Sequence, residues 1–431
     1  MRNFAHVGAR AWIWIGLLAT AAVAQGTLPS PFSARVKMSD GRMVSVRIEG
    51  WDADGCTGDQ GRLLWADMKA ADVNRTLRRC IHDQDPRQLL LLGRALLSTE
   101  DGETMGDSTL RQAVKRDGSL RDAAEAARAE AAELRRKASE RRVRAALPGQ
   151  GEGGSIPPWP IADEAERARN LEEMKAFTER ALAQVRGRWM RAESRYWVVY
   201  ADLPQKETDE LAARMDRMYL AVADMFALPR GLNLFHGKGV CVVSASEEMF
   251  RAVEMAAFNQ MTVPGVIGLC HMVGPKVIVN AWRSQDDDAF MATLVHEATH
   301  GVMHRYGTPG RLPLWAEEGY AEFVAARSFD SSTVDAARRP QGVRFIRDGG
   351  STLPLFLSDG SDGAWPGEQA QGYAIGYLTV CMMIDQKGAA FGEWVKDVKT
   401  GVPWQQALQR HFGVDAEGLA RVVEDWYRRN P

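Results

Sequence analysis

The sequence predicts an α+β protein in which a small β-rich unit and a long charged helix precede a larger part where strands and helices alternate. Three observations predict it. Residues 33–66 alternate apolar and polar side chains around Ser39-Asp40-Gly41, the pattern of an antiparallel hairpin. Residues 108–147 are rich in Ala, Arg and Glu and contain no Pro, which is the composition of a long helix. Beyond residue 190, short runs rich in Val, Ile and aromatic residues alternate with runs of helical periodicity.

In chain order, Met1–Ala24 carries Arg2 and Arg10, an apolar run from Ala11, and the small-residue ending Ala22-Val23-Ala24. That is a secretory signal peptide cut before Gln25, and its apolar run is too short to span a bilayer. The expected mature chain is therefore exported, to the periplasm or the exterior, without a membrane span. Residues 25–98 form the β-rich unit, with strands at Arg35–Met38 and Met43–Ile48 and a helical end containing Leu89–Leu92. Residues 99–189 are a charged helical region. Its first helix ends in a basic excess (Arg135, Arg136, Lys137, Arg141, Arg142, Arg144) read as a solvated face, with too few apolar residues besides Ala to fix a heptad register. Gly149–Pro160, GQGEGGSIPPWP, reads as a linker, and Asp163–Gln184 as a second helix.

The part from 190 to 431 opens with a strand at Tyr196–Tyr200 and an amphipathic helix from Lys206 to Phe226. A strand at Gly239–Ser244, a helix through Met255, and two strands at Val266–Met272 and Val277–Ala281 follow. The net charge of −2 carries no nucleic-acid footprint. Five cysteines in an exported chain leave one unpaired; Cys56 with Cys80 and Cys241 with Cys270 are the expected bridges, and Cys381 the buried free thiol.

The chemistry gathers between Leu294 and Val324. His296-Glu297-Ala298-Thr299-His300 is an HExxH. On a helix, residues four apart share a face, so His296 and His300 can reach one metal ion, with Glu297 beside them to take a proton from water. Gly307, Pro309 and Gly310 then turn the chain, and a second helix presents Glu317, Glu318 and Glu322. The alternative is a pair of buried, hydrogen-bonded helix histidines. His304 continues the stripe but would close a three-ligand site to water, so it reads as a rim or solvated residue.

This segment resembles the gluzincin zinc metallopeptidases, in their peptidase-MA-like and aminopeptidase-like branch, over about residues 190–431. The resemblance implies a zincin-like catalytic domain, with a mixed sheet on the HExxH helix and helices behind it. It implies Zn2+ held by His296, His300 and Glu318, the Glu before Gly319, and leaves Glu317 exposed. Glu297 becomes the general base. The spacing from His300 to Glu318 is one residue shorter than in the aminopeptidases. A metzincin pattern fails, because its third histidine would fall on Tyr306. Glu322, one turn after Glu318, is read as a carboxylate that orients a ligating histidine; the alternative is an ordinary exposed Glu. Gly372-Tyr373-Ala374-Ile375-Gly376 matches the family's Y-x-x-G, which implies Tyr373 as oxyanion donor; the competing reading is a core tyrosine, with Tyr377 as the second candidate. The family also binds substrate along one edge strand, for which Ile267–Cys270 is the candidate. The aminopeptidases' G-x-M-E-N is absent, which argues against that activity.

The expected function is hydrolysis of peptide bonds in a peptide or protein substrate. The alternatives are an exported binding or scaffold protein with a weakly active or inactive zincin domain, and a zinc amidase or esterase acting on a non-peptide substrate.

Overall fold

The computed structural model describes residues 26–148, 155–329, 332–358 and 365–430. The expected signal peptide lies outside the described residues. No helix among those described is long and apolar enough to cross a membrane. The chain is α+β and divides into two compact units at Arg141/Arg142. The sequence reading sets its own boundaries at 98/99 and 189/190.

The first unit begins with an antiparallel sheet in the order β1 (Gly26–Lys37), β2 (Met43–Trp51), β3 (Gly55–Gly58) and β4 (Gly61–Leu64). The β1–β2 register pairs Lys37 with Met43 and Val36 with Val44 across a turn in which Gly41 has φ +89°. One face of the hairpin buries Val36, Val46 and Ile48 against Trp65, Met68 and Val73. Helices α1 (Ala70–Leu77), α2 (Pro86–Ser98) and α3 (Glu103–Arg116) complete that unit with the first part of α4 (Arg121–Ala146). Asp85 caps α2 by accepting the N–H of Arg87, and Pro86 stands in the first turn, where its missing N–H costs nothing. In α4 the buried residues are alanines: Ala124, Ala127 and Ala131 pack against Leu97 and Leu110. Only a methyl-sized side chain lies at this seam, so the helix is anchored without the larger apolar residues a heptad needs.

The second unit holds α5 (Glu164–Leu182), β5 (Met190–Glu193), β6 (Trp197–Ala201), α6 (Gln205–Met225), β7 (Gly239–Ser244) and α7 (Glu247–Phe258). Then come β8 (Gly268–Val273), β9 (Lys276–Trp282), α8 (Asp287–Arg305) and α9 (Leu314–Arg327). The chain closes with α10 (Val334–Arg347), α11 (Leu353–Leu357), α12 (Gln369–Lys399), α13 (Trp404–Phe412) and α14 (Ala416–Arg429). The sheet order is β5-β6-β7-β9-β8, with β6, β7 and β9 parallel and the two edge strands antiparallel to their neighbours. The three inner strands are buried on both faces, which is why they read as continuous apolar runs. One face packs Val198, Val240, Val242 and Ile278 against Met174 of α5 and Val253 of α7. The other packs Val199, Cys241, Val243 and Val279 against Met215 of α6 and Leu294 and Ala298 of α8.

One expectation is corrected here. All five cysteines are free. Cys241 and Cys270 both lie opposite Val279, one on each side of β9. Two strand spacings, about 9.5 Å, separate them, beyond the reach of a disulfide. Cys56 and Cys80 remain thiols, and burial pushes their pKa values up to about 12 and about 11. Of the expected linker, residues 149–154 lie outside the described residues, and the following stretch is held in place. Ser155 and Ile156 donate backbone N–H groups to Thr400 O, and Trp159 donates its own to Gly307 O.

Candidate metal centre

Asp286 caps helix α8: its carboxylate accepts the N–H groups of Asp288 and Ala289. Its middle is buried nearly all round, because the sheet lies on one side and α9 on another. On this fixed support the rings of His296 and His300 stand edge to face, with centroids 4.8 Å apart. Their Nε2 atoms are 3.1 Å apart. Glu318 Oε2, from α9, lies 3.1 Å from His296 Nε2 and 3.4 Å from His300 Nε2.

The helix crossing sets that approach. A Cβ on Gly319 would lie 2.3 Å from Gly376 O, and a Cβ on Gly376 would lie 2.6 Å from Trp315 O. Helices α9 and α12 therefore meet backbone to backbone at these two glycines. Glu318 precedes one glycine and Tyr373 stands three residues before the other, so the crossing brings both to the same place.

The residues fit a divalent metal. Ligands bound at about 2.0–2.1 Å in a tetrahedron lie about 3.3 Å from one another, the spacing of the three atoms here. On the far side of His296, Nδ1 lies 3.4 Å from Glu322 Oε1. A proton on Nδ1 turned to that carboxylate leaves the Nε2 lone pair facing the cluster. Three acceptor atoms thus converge, and only a cation or a shared proton satisfies them. The charges say the same. Burial opposes a charged His296, yet Glu318 and Glu322 overcome it and push its pKa up to about 10. Burial likewise works against charge on Glu318, and the two histidines nonetheless hold its carboxyl far below the usual range.

Glu297 sits beside the cluster under β8. Its carboxylate accepts the backbone N–H of Cys270, and burial raises its pKa against the pull of the two histidines. A Cβ on Gly268 would come within 3.2 Å of its Cγ, so the strand passes close over it. β8 is an edge strand, as expected for Ile267–Cys270.

Glu322 is 5% exposed and accepts two hydrogen bonds from Arg338, Nε and Nη2 each at 3.0 Å. Burial raises its pKa, but His296 and Arg338 bring it down to about 2. Tyr373 lies 5.9 Å from His296 between ring centroids, with Arg338 Cζ 5.2 Å from the centre of its own ring. Tyr377 points elsewhere: it is buried, and its hydroxyl donates to Asp335 Oδ1 at 2.7 Å. His304 is likewise outside the cluster, its Nε2–H donating to Gly274 O at 2.8 Å.

Glu317 is the correction. Expected to be exposed, its side chain is only 11% accessible; it pairs with Arg311 at 3.3 Å and lies 4.0 Å from His300 Nδ1. The close packing of α8 on α9 encloses this neighbouring direction as well as that of Glu318. Arg338 was missed altogether. It belongs to another helix, sixteen residues beyond Glu322 in sequence, and an arginine there carries no local signal.

No protein-family model matches the chain, and no curated protein matches it in sequence.

Proposed function

We propose that this chain is a zinc-dependent peptidase of the gluzincin kind, with a zincin-like domain in its second unit. One observation carries the reading: three ligand-type atoms from His296, His300 and Glu318 lie 3.1–3.4 Å apart, with a carboxylate of raised pKa beside them. Two imidazoles and one carboxylate form a donor set suited to catalytic zinc, leaving one coordination position open. When bound, zinc supplies Lewis-acid chemistry, lowering the pKa of water and polarising a carbonyl.

The remaining work falls to the chain's own residues. Glu297 accepts a proton from water as its oxygen attacks the peptide carbonyl, then delivers that proton to the departing amine nitrogen. A carboxyl whose pKa is raised by burial suits both halves of that transfer. The Tyr373 hydroxyl, kept protonated by burial, donates to the carbonyl oxygen as negative charge builds there. Glu322 holds the His296 ring, and Arg338 holds Glu322. An extended substrate would lie along the outer edge of β8, whose backbone passes over Glu297.

Elemental analysis of the purified protein tests the reading. One zinc per chain, absent from His296→Ala, is expected; a folded wild type that takes up no zinc on reconstitution would overturn it.

A further inference from the structure

The last turn of α8 ends in a charge that the metal centre does not use. Arg305 is 5% exposed. Its Nε donates to Leu234 O at 2.9 Å, and its Cζ lies 4.7 Å from the centre of the Trp159 ring. That ring is fixed in place: the indole Nε1–H donates to His304 O and the backbone N–H to Gly307 O, each at 2.8 Å. Arg305 Nη1 is buried and has no hydrogen-bond partner among the described residues. No carboxylate among them forms an ion pair with it, and a second cation, Arg167 of α5, acts on it instead.

A buried guanidinium is ordinarily paired, because desolvation of an uncompensated charge costs more than a cation–π contact returns. Burial, with help from Arg167, lowers the pKa of Arg305 to about 10, which still leaves it charged at neutral pH. Arg305 and Arg167 line one cavity of about 30 Å³, together with Trp159, Ile161, Asn233 and Leu234. That volume accommodates one or two water-sized bodies. Two arginines lining so small a space favour negative charge, and the volume matches a monatomic anion.

We propose that this cavity is a binding site for a small inorganic monoanion of chloride's size, which neutralises Arg305 and ties α5 to the last turn of α8. The site is independent of the metal reading.

The test uses the full chain. Melting temperature is followed as chloride replaces gluconate at constant ionic strength, and crystals soaked in bromide are examined for anomalous scattering. A saturable rise in melting temperature with chloride is expected, together with a bromide peak within hydrogen-bond distance of Arg305. Arg167→Gln should raise the half-saturating chloride concentration about tenfold, the loss of one charge-assisted hydrogen bond. Arg305→Met, which keeps the apolar stem, should abolish the chloride response; should that variant not fold, the Arg167→Gln titration and the bromide map decide. Identical melting in chloride and gluconate, a response unchanged in Arg167→Gln, or no bromide in the cavity would each overturn the proposal.

Discussion

Glu297 and Glu318 have the same intrinsic chemistry, and their surroundings drive them in opposite directions. Burial raises Glu297, whereas the two histidines hold Glu318 ionised despite its burial. Opposed environments of this kind divide a proton carrier from a ligand. Glu297→Gln should therefore cut turnover by about 10²–10⁴-fold while zinc content stays at one per chain, checked by peptide hydrolysis beside elemental analysis. Arg338 acts further back, through Glu322. Arg338→Ala should weaken zinc binding about 10–100-fold in chelator competition, with Arg338→Lys between it and wild type, because lysine restores charge without the two-point grip. Equal zinc affinity in all three would remove Arg338 from the site. A third residue sets a pH dependence. Lys399 is 2% exposed and donates to Met303 O at 2.7 Å, and burial lowers its pKa from 10.5 to about 7. Between those values the unfolded chain holds a proton that the folded chain lacks, so stability rises with pH across the window. The slope from this group is about 1.4 kcal/mol per pH unit. Lys399→Met should flatten that rise in urea unfolding measured from pH 7 to 9.

At the scale of elements, the candidate metal centre is a consequence of two packings. Helix α8 lies against the sheet through Leu294 and Ala298, which leaves His296 and His300 facing α9. Helices α9 and α12 then cross at Gly319 and Gly376 with no side chain between them. Gly319→Ala would force a methyl to within 2.3 Å of a carbonyl oxygen, and backbone cannot move aside as a flexible side chain does. The expected cost is about 1–3 kcal/mol of stability, with a drop in zinc affinity because Glu318 moves with its helix. Thermal melting and chelator competition read the two effects separately; a variant with wild-type values in both would show that the crossing has slack. The glycines in E-G and Y-x-x-G thus have a physical role apart from any family likeness: each is the contact point of a helix that brings a candidate site residue to the cluster.

At the scale of the whole molecule, the three candidate ligands belong to the unit beginning at Arg142, and under the proposed function metal binding should be felt there. A ligand that binds only the folded state stabilises it by about 4 kcal/mol at a thousand times its dissociation constant. Chelation should lower the calorimetric transition of that unit, zinc should restore it, and the unit ending at Arg141 should melt unchanged. A metal-dependent shift in both units would contradict this assignment.

Local pattern was enough for much of the molecule. The hairpin between Arg35 and Ile48, the apolar inner strands and the HExxH helix were legible because alternation and helical spacing are properties of neighbouring residues. The pairing of His296 with His300 follows from one turn of helix. The sequence also singled out Glu318, Glu322 and Tyr373, through motif resemblance, though their distances to the histidines were not in it. Only the tertiary structure decided that Tyr373 stands by the site while Tyr377 binds Asp335, since both lie on one apolar helix and differ only in what packs against them. It alone enclosed Glu317, separated Cys241 from Cys270 by a strand, and brought Arg338 to Glu322. The physical reason is common to all four. Spacing along a chain specifies which side of an element a residue occupies, whereas its partners depend on which element is packed there.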